Sequence, residues 1–302
     1  MSAVADGNFS GKRVAILGCG YVGGEVARQA LARGMHVTAL TRNAGKAAKL
    51  HAGGAEVMVA DLAGETWHSE IAGGADYVLD AVSSGGGGLA SYRRSYVEGM
   101  RSIVKWAQER GQVGTIVYTS STSVYPQGGG ARVDETAPTE VVGERGAVLL
   151  EAERLLRENA GARRRWFVLR LAGIYGPGRQ YFLEQVRAGE VAGRGDHRLN
   201  LIHRDDVCAA VWAAFAAPAA VANEIFNLAD DAAAPKAEIA AWIARKLGVP
   251  APQFNGEPAA GRRVVALDRV IANRKIKTML GWQPRYPSFR EGYENMLAPG
   301  AE

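Results

Sequence analysis

Cysteine is nearly missing from this 302-residue chain: there are two, Cys19 and Cys208. They stand far apart and fit no metal-ligand spacing, which excludes a disulfide framework or a cysteine zinc site and points to a reducing compartment. Long apolar runs are missing too. No stretch approaches the roughly 18 residues of a membrane span, and the opening "MSAVADGNFSGKR" lacks the apolar core of a secretory signal. A cytoplasmic protein is expected. Nor does one sign of charge dominate, since the formal net charge is only +5. Basic residues are scattered, with one short run (Arg163, Arg164, Arg165) and no interleaved aromatics, so neither nucleic acid nor membrane is an expected partner. Hydrophobic content of 47% and charged content of 22% leave no room for extended disorder.

Glycine is abundant, at 38 residues, and is gathered at particular places. In "KRVAILGCGYVGGEVARQALARGMHVTALTRN" the apolar run Val14 to Leu17 reads as a strand buried on both faces. Gly18, Gly20 and Gly23 then form G-x-G-x-x-G, an amphipathic helix runs to Gly34, and a second strand follows from His36 to Leu40. A glycine turn alone can be purely structural. The strand, the spacing and the second strand together make it a dinucleotide-binding turn. Gly18 permits the tight bend, Gly20 admits pyrophosphate to the backbone, and Gly23 lets helix pack on strand. The amides of Tyr21, Val22 and Gly23 open the helix toward the phosphates.

What is missing at the end of the second strand selects the cofactor. NAD sites usually place a carboxylate there for the ribose 2′-hydroxyl, whereas this chain has Thr41-Arg42-Asn43. Arg42 can pair with a 2′-phosphate through its planar donor fork, or it is a surface arginine after a strand. The expected cofactor is NADP, with NAD as the other possibility.

Strand and helix patterns continue to alternate. Glu56 to Ala60 leads into Asp61-Leu62, and Tyr77 to Val82 leads into "SSGGGG". A helix over "YRRSYVEGMRSIVKWAQERG" precedes a strand at Thr115 to Thr119. A helix from Glu144 to Asn159 precedes a strand at Trp166 to Leu171. This order implies an α/β fold with a doubly wound parallel Rossmann sheet and a smaller C-terminal substrate lobe. The boundary is placed at 1–171 and 172–302, the lobe being interleaved with the last strands.

Several stretches in this order resemble the extended short-chain dehydrogenase/reductase superfamily, the branch of nucleotide-sugar epimerases and dehydratases. They are "YTSSTSVYP", "VDETAP", "VLRLAGIYGPGR", "LNLIHRDDVCAAVWAAF" and "KIKTMLGWQPRYPSFREGY". The resemblance places Asp61, Leu62, Ala81 and Ser120, all near strand ends, against the cofactor. It makes Ser121, four before Tyr125, the hydroxyl that binds a substrate oxygen; the other reading is a strand-end serine that caps a turn. Departures are as informative. The family's first glycine is Leu17 here, as in atypical members. Its catalytic tyrosine and lysine sit one helical turn apart, so that the cation lowers the phenol's ionisation. Aligned through Glu153, those positions hold Arg145 and Leu149, and the family's asparagine is Tyr96.

Arg145 stays protonated and cannot be an ordinary base. It can clamp an anion or stabilise an oxyanion, or simply face solvent. Tyr125, Tyr175, Tyr181, Glu144 and His203 are the other proton-transfer candidates, with Tyr125 carried forward as catalytic beside Ser121 and Arg145. Tyr175, Arg179 and His203 are expected to bind substrate, with Arg194 and His197 as further cations or donors. No metal site is expected. The leading reading is an NADP-dependent oxidoreductase or epimerase-like enzyme acting on a small polar molecule. The alternatives are a catalytically silent dinucleotide sensor and a lyase or isomerase with a structural cofactor. The superfamily's dimer helices correspond to Arg94 to Glu109 and Glu144 to Asn159, so a homodimer is an expected possibility.

Overall fold

The computed structural model describes residues 8–71, 73–110, 112–140, 142–161, 164–258 and 267–298; Arg163 of the basic run lies outside them. The first half comprises β1 (Arg13–Leu17), α1 (Tyr21–Ala32), β2 (His36–Thr41), α2 (Ala44–Ala52), β3 (Glu56–Val59) and β4 (Ala75–Asp80). Then come α3 (Gly88–Arg93), α4 (Gly99–Arg110), β5 (Val113–Ser121), β6 (Ala131–Val133), α5 (Glu144–Asn159), β7 (Arg165–Leu171) and β8 (Gly173–Tyr175). Beyond them α6 (Tyr181–Arg187) and α7 (Arg204–Phe215) precede the last strand of the main sheet, Glu224–Leu228.

Seven strands form the main sheet in the order Glu224–Leu228, β7, β5, β4, β1, β2, β3, all parallel. Successive crossovers run one way from β1 through β3 and the other way from β4 onward. The reversal between β1 and β4 leaves a crevice above their C-terminal ends, where open α/β sheets bind ligands. The strands are apolar on both faces because helices cover both. One core cluster joins Ile16, Val117 and Phe167 to α1 and α7. The other joins Ala15, Ile116 and Tyr118 to α4 and α5. A third, built on Leu183, Ile239, Phe289 and Tyr293, belongs to the smaller lobe. The strand Glu224–Leu228 comes from beyond residue 172 yet pairs with β7, so the lobe is threaded through the sheet.

The helix read from the sequence over 92–111 is divided. Helix α3 starts earlier, at Gly88, and a π turn at Arg94–Glu98 separates it from α4. The strand read as Thr115 to Thr119 runs on to Ser121, so Ser120 and Ser121 alternate in direction like any strand neighbours. No helix among the described residues is long and apolar enough to cross a membrane.

Candidate functional site

The turn between β1 and α1 forms the floor of the crevice. Gly18 has φ +98°, and a side-chain carbon there would lie 2.7 Å from the Val82 amide nitrogen, so only glycine fits. A carbon on Gly23 would lie 2.3 Å from the Gly18 carbonyl oxygen. Gly20 differs: its φ is −84°, and an added carbon would meet no protein atom within 4 Å. No protein atom forbids a side chain there, although the ψ of −142° lies outside the regions other residues ordinarily occupy, and a group lying against the backbone would require glycine outright. No side chain caps α1 and its first turn holds no acidic residue, leaving free amides at the positive end of the helix.

A cavity of about 300 Å³ opens beside this turn, within the range of small-molecule sites. Of the expected cofactor residues, Gly18, Gly20, Arg42, Asp61, Leu62 and Ala81 line it. Tyr21, Val22, Gly23 and Ser120 are not in its wall. The Arg42 guanidinium donates to the Ser83 carbonyl at 3.4 Å, spanning the gap between β2 and the loop after β4. Lys46 also lines the cavity and was missed from the sequence. Asn43 caps α2 by accepting from the Lys46 amide at 2.9 Å, which fixes the first turn bearing that lysine; an Asn-x-x-Lys after the strand was the available signal. Asp61 is paired with Arg94 at 2.8 Å and accepts from the Ala63 amide. These contacts hold it below the usual carboxylate range, against the opposing effect of burial.

At the end of β5 the two serines part. Ser120 points under the sheet and donates to Glu153 of α5 at 2.7 Å. Glu153 is held by both arms of Arg170, at 3.1 and 2.7 Å. Arg170 donates to the Tyr125 hydroxyl at 2.8 Å, and Tyr125 donates to Asn227 at 2.8 Å. All five are buried, so the network ties β5, α5, β7 and the last strand together and occupies the phenol of Tyr125. Ser121 is half-buried and accepts from the Ser123 amide at 3.1 Å. It thus caps the 122–124 turn, and its own O–H has no acceptor among the described residues.

The start of α5 packs on that turn, since a carbon on Gly146 would lie 3.2 Å from the Ser123 carbonyl oxygen. Leu149 is buried in the core, whereas Arg145 is exposed and its guanidinium lies 5.4 Å from the centre of the Tyr92 ring. Tyr92 packs against Tyr96 at 4.5 Å between centroids, the rings tilted by 50°. Beneath them Asp80, opposite Tyr118 in the β4–β5 register, is fully buried. Burial pushes its carboxyl up to about 7, although its other oxygen accepts from the Val82 amide. Asp80 Oδ2 and the Tyr118 hydroxyl have no hydrogen-bond partner among the described residues.

In the lobe, His203 is fully buried. Its Nδ1 accepts from the Asp205 amide at 3.3 Å, capping α7, and burial brings its pKa down to about 4. The ring is neutral, and its Nε2 faces Gly176 without a partner. Tyr175 stacks edge-on against it and is buried, not lining the crevice. The Tyr21 hydroxyl donates to the Pro177 carbonyl at 2.9 Å. Guanidiniums of Arg179 and Arg204 lie 4.9 and 5.3 Å from its ring centre, so Tyr21 joins the glycine turn to the segment bearing Arg179. Arg194 and Tyr181 are exposed, and Arg194 is paired with Asp196. Glu144, also exposed, opens α5. Among the described residues no group of three or more His, Cys, Asp or Glu side chains could hold a metal ion. Both cysteines are free and buried, and burial pushes their thiols up to about 12.

The model of the NAD dependent epimerase/dehydratase family matches residues 14–229. The chain belongs to this family. Protein YeeZ of Escherichia coli (strain K12) is 31% identical over 283 residues, which cover 91% of this chain and 97% of that protein. A Streptomyces sp. protein named 3-diazoavenalumate denitrifying reductase is 30% identical over 320 residues, covering 93% of this chain and 98% of the relative. The fold matches that of a UDP-glucose 4-epimerase from Thermotoga maritima with a TM-score of 0.80, at 18% identity, over 93% of this chain and 96% of that one.

For an epimerase/dehydratase family member the cradle fits a dinucleotide. Gly20 leaves backbone room for pyrophosphate, the α1 amides face it, and Arg42 and Lys46 stand where β2 ends. The sequence reading names the cavity-lining Gly18, Gly20 and Arg42 but not Lys46, nor Asp80 or Tyr92. A lone Asp or Tyr at the end of an element carries no motif.

Proposed function

We propose that the chain is an NADP-dependent oxidoreductase of the epimerase/dehydratase family, acting on a small polar, nucleotide-sugar-like substrate with a non-standard acid. The observation that carries the cofactor choice is the pair of cations, Arg42 and Lys46, on the cavity wall at the end of β2. A 2′-phosphate gives both a charge to neutralise, whereas a bare ribose diol gives neither one. The relative named as a reductase supports hydride chemistry. When bound, the nicotinamide supplies the hydride. In this reading the residues divide the remaining work. The glycine turn and the α1 amides hold the pyrophosphate, Arg42 and Lys46 read the ribose phosphate, and Leu62 and Ala81 flank the base. Ser121 turns its O–H toward the substrate oxygen, and Arg179 with Arg204, beside the Tyr21 ring, offers anion-binding groups.

A paired titration with NADPH and NADH tests this. Trp67 donates to the Leu62 carbonyl at 3.2 Å, so its fluorescence reports on the cavity wall. Tighter binding of NADPH by about tenfold or more, abolished in Arg42→Ala, is the expected result. Equal or stronger NADH binding overturns the NADP assignment. A second reading, a dinucleotide sensor without turnover, is favoured by Leu149, whose burial in the core leaves no cation one turn after Arg145. NADPH consumption with a carbonyl or sugar-nucleotide substrate rules that reading out.

A further inference from the structure

We infer that Tyr92 and Arg145 form an activated phenol–guanidinium pair that replaces the missing acid of this site, backed by Tyr96 and the buried Asp80–Tyr118 pair. The inference rests on the oxidoreductase reading for its chemistry, though not for the existence of the pair.

Four observations converge on one corner. First, Arg145 occupies the position at which the family's tyrosine would stand, and its charge is placed 5.4 Å from the centre of the Tyr92 ring. A phenol and a cation are thus still together, but the phenol comes from α3 and the cation from α5. Second, the π turn at Arg94–Glu98 carries Tyr96 and follows directly on α3. Such turns occur frequently at functional sites, and here one accompanies the packed Tyr92–Tyr96 ring pair. Third, the two phenols are unequal. Burial, then the charge of Tyr92 and of Asp80, pushes the ionisation of Tyr96 well up. Tyr92 is the one beside a cation, so the pair's negative charge settles on Tyr92 while Tyr96 remains protonated. Fourth, Asp80 Oδ2 and the Tyr118 hydroxyl lie unpartnered among the described residues behind Tyr96, and both are fully buried. Buried polar atoms without partners are rare in folded proteins, and two in adjacent register positions form a store for a proton.

The other charges around Tyr92 do not cancel this. Glu151 of α5 is held by both arms of Arg93 at 2.7 Å and by Arg101 at 3.2 Å, and Arg94 is paired with Asp61. Among the described residues Arg145 is in no ion pair, and its charge lies over the Tyr92 ring. When bound, the reduced nicotinamide would supply the hydride to a substrate carbonyl carbon, and the chain's own residues would supply the proton. The carbonyl oxygen takes the Tyr92 proton as the phenol O–H breaks and the alcohol O–H forms. The Arg145 charge over the ring would stabilise the phenolate, which would regain its proton by way of the packed Tyr96 hydroxyl, with solvent restoring the balance. Ser121 lies at the same corner, because α5 packs on the turn that Ser121 caps.

The test is an ultraviolet difference titration of phenolate, which needs no substrate. In the wild type one tyrosine is expected to ionise below the ordinary value of about 10. It should vanish in Tyr92→Phe and shift upward in Arg145→Leu, a change at an exposed position that leaves the fold intact. No tyrosine ionising early, or one that persists in Tyr92→Phe, overturns the pair. A second arm follows NADPH oxidation against a panel of carbonyl compounds. There Tyr92→Phe should lower kcat by about 10²-fold or more and remove the loss of rate at high pH. Unchanged kcat and pH profile in that variant overturn the role as donor. An early-ionising Tyr92 in a wild type that reduces no carbonyl supports the pair and instead counts against the oxidoreductase reading.

Discussion

The hydroxyl of Tyr125 donates to Asn227 Oδ1 and accepts from Arg170 Nη1, each at 2.8 Å, with all three side chains buried. Both functions of the phenol are therefore used within the fold. Tyr125→Phe leaves a buried guanidinium N–H and an amide oxygen unpaired, at a cost of about 1–3 kcal/mol. Urea unfolding should show that loss while NADPH affinity by tryptophan quenching stays within about twofold of the wild type. Undiminished stability together with lost turnover would place Tyr125 in the chemistry instead.

Gly20 separates binding from folding. Its backbone has φ −84° and ψ −142° with open space where a carbon would go, so Gly20→Ala meets no clash and should cost only backbone strain, about 1–3 kcal/mol. Dinucleotide affinity should fall at least about tenfold, because the methyl takes the room that pyrophosphate needs. Gly23→Ala is the contrast: its carbon meets the Gly18 carbonyl at 2.3 Å, and both stability and binding should fail. If Gly20→Ala binds NADPH and NADH like the wild type, the crevice does not hold a dinucleotide at this turn.

These residues also show what a sequence can and cannot reveal. The β1–α1–β2 unit was legible because its signals are local: an apolar run, glycines at fixed offsets, a helix period. Arg42 was legible as the residue that ends a strand. The buried partners of Tyr125, Asn227 and Arg170, are 102 and 45 residues away, and no local pattern announces them. The resemblance sets Ser120 against the cofactor, but its contact with Glu153 depends on a partner 33 residues away that no local pattern announces. The π turn was read through as helix, since i to i+5 bonding leaves almost no trace in residue preferences. Asp80 was invisible because an aspartate at a strand end normally reads as the start of a loop.

His203 should mark the acid side of the stability curve. Its pKa is depressed from 6.5 to about 4 by burial, so the folded state favours the neutral ring. That contribution is complete above pH 6.5 and is lost as pH falls toward 4. His203→Asn keeps an oxygen to accept from the Asp205 amide and removes the titration. It should lower stability near neutrality through the lost packing, and flatten the decline between those pH values by about 1–3 kcal/mol. Parallel pH curves for the variant and the wild type would show that His203 is not the group responsible.

Asp80 acts in the opposite sense over a neighbouring range. Its folded pKa is raised from 3.8 to about 7, with burial as the cause and the Val82 amide only partly offsetting it. Below pH 3.8 both folded and unfolded chains hold the proton, and Asp80 costs nothing. As pH rises toward 7 the unfolded chain releases the proton while the folded chain keeps it, so stability falls across that interval and the full penalty remains above it. Asp80→Asn retains an oxygen to accept from the Val82 amide and has no charge to bury. Its advantage over the wild type should be near zero at acid pH and grow to about 2–4 kcal/mol by mild alkali. Asp206 and Asp230 are raised too, to about 6 and about 7, but they are common to both proteins and cancel in the difference. Urea unfolding of the two proteins on either side of neutrality measures it. An advantage independent of pH would mean that Asp80 does not hold its proton in the folded state. A chain that keeps such a carboxyl at a stability cost, behind two phenols and a guanidinium, retains it for a reason other than packing.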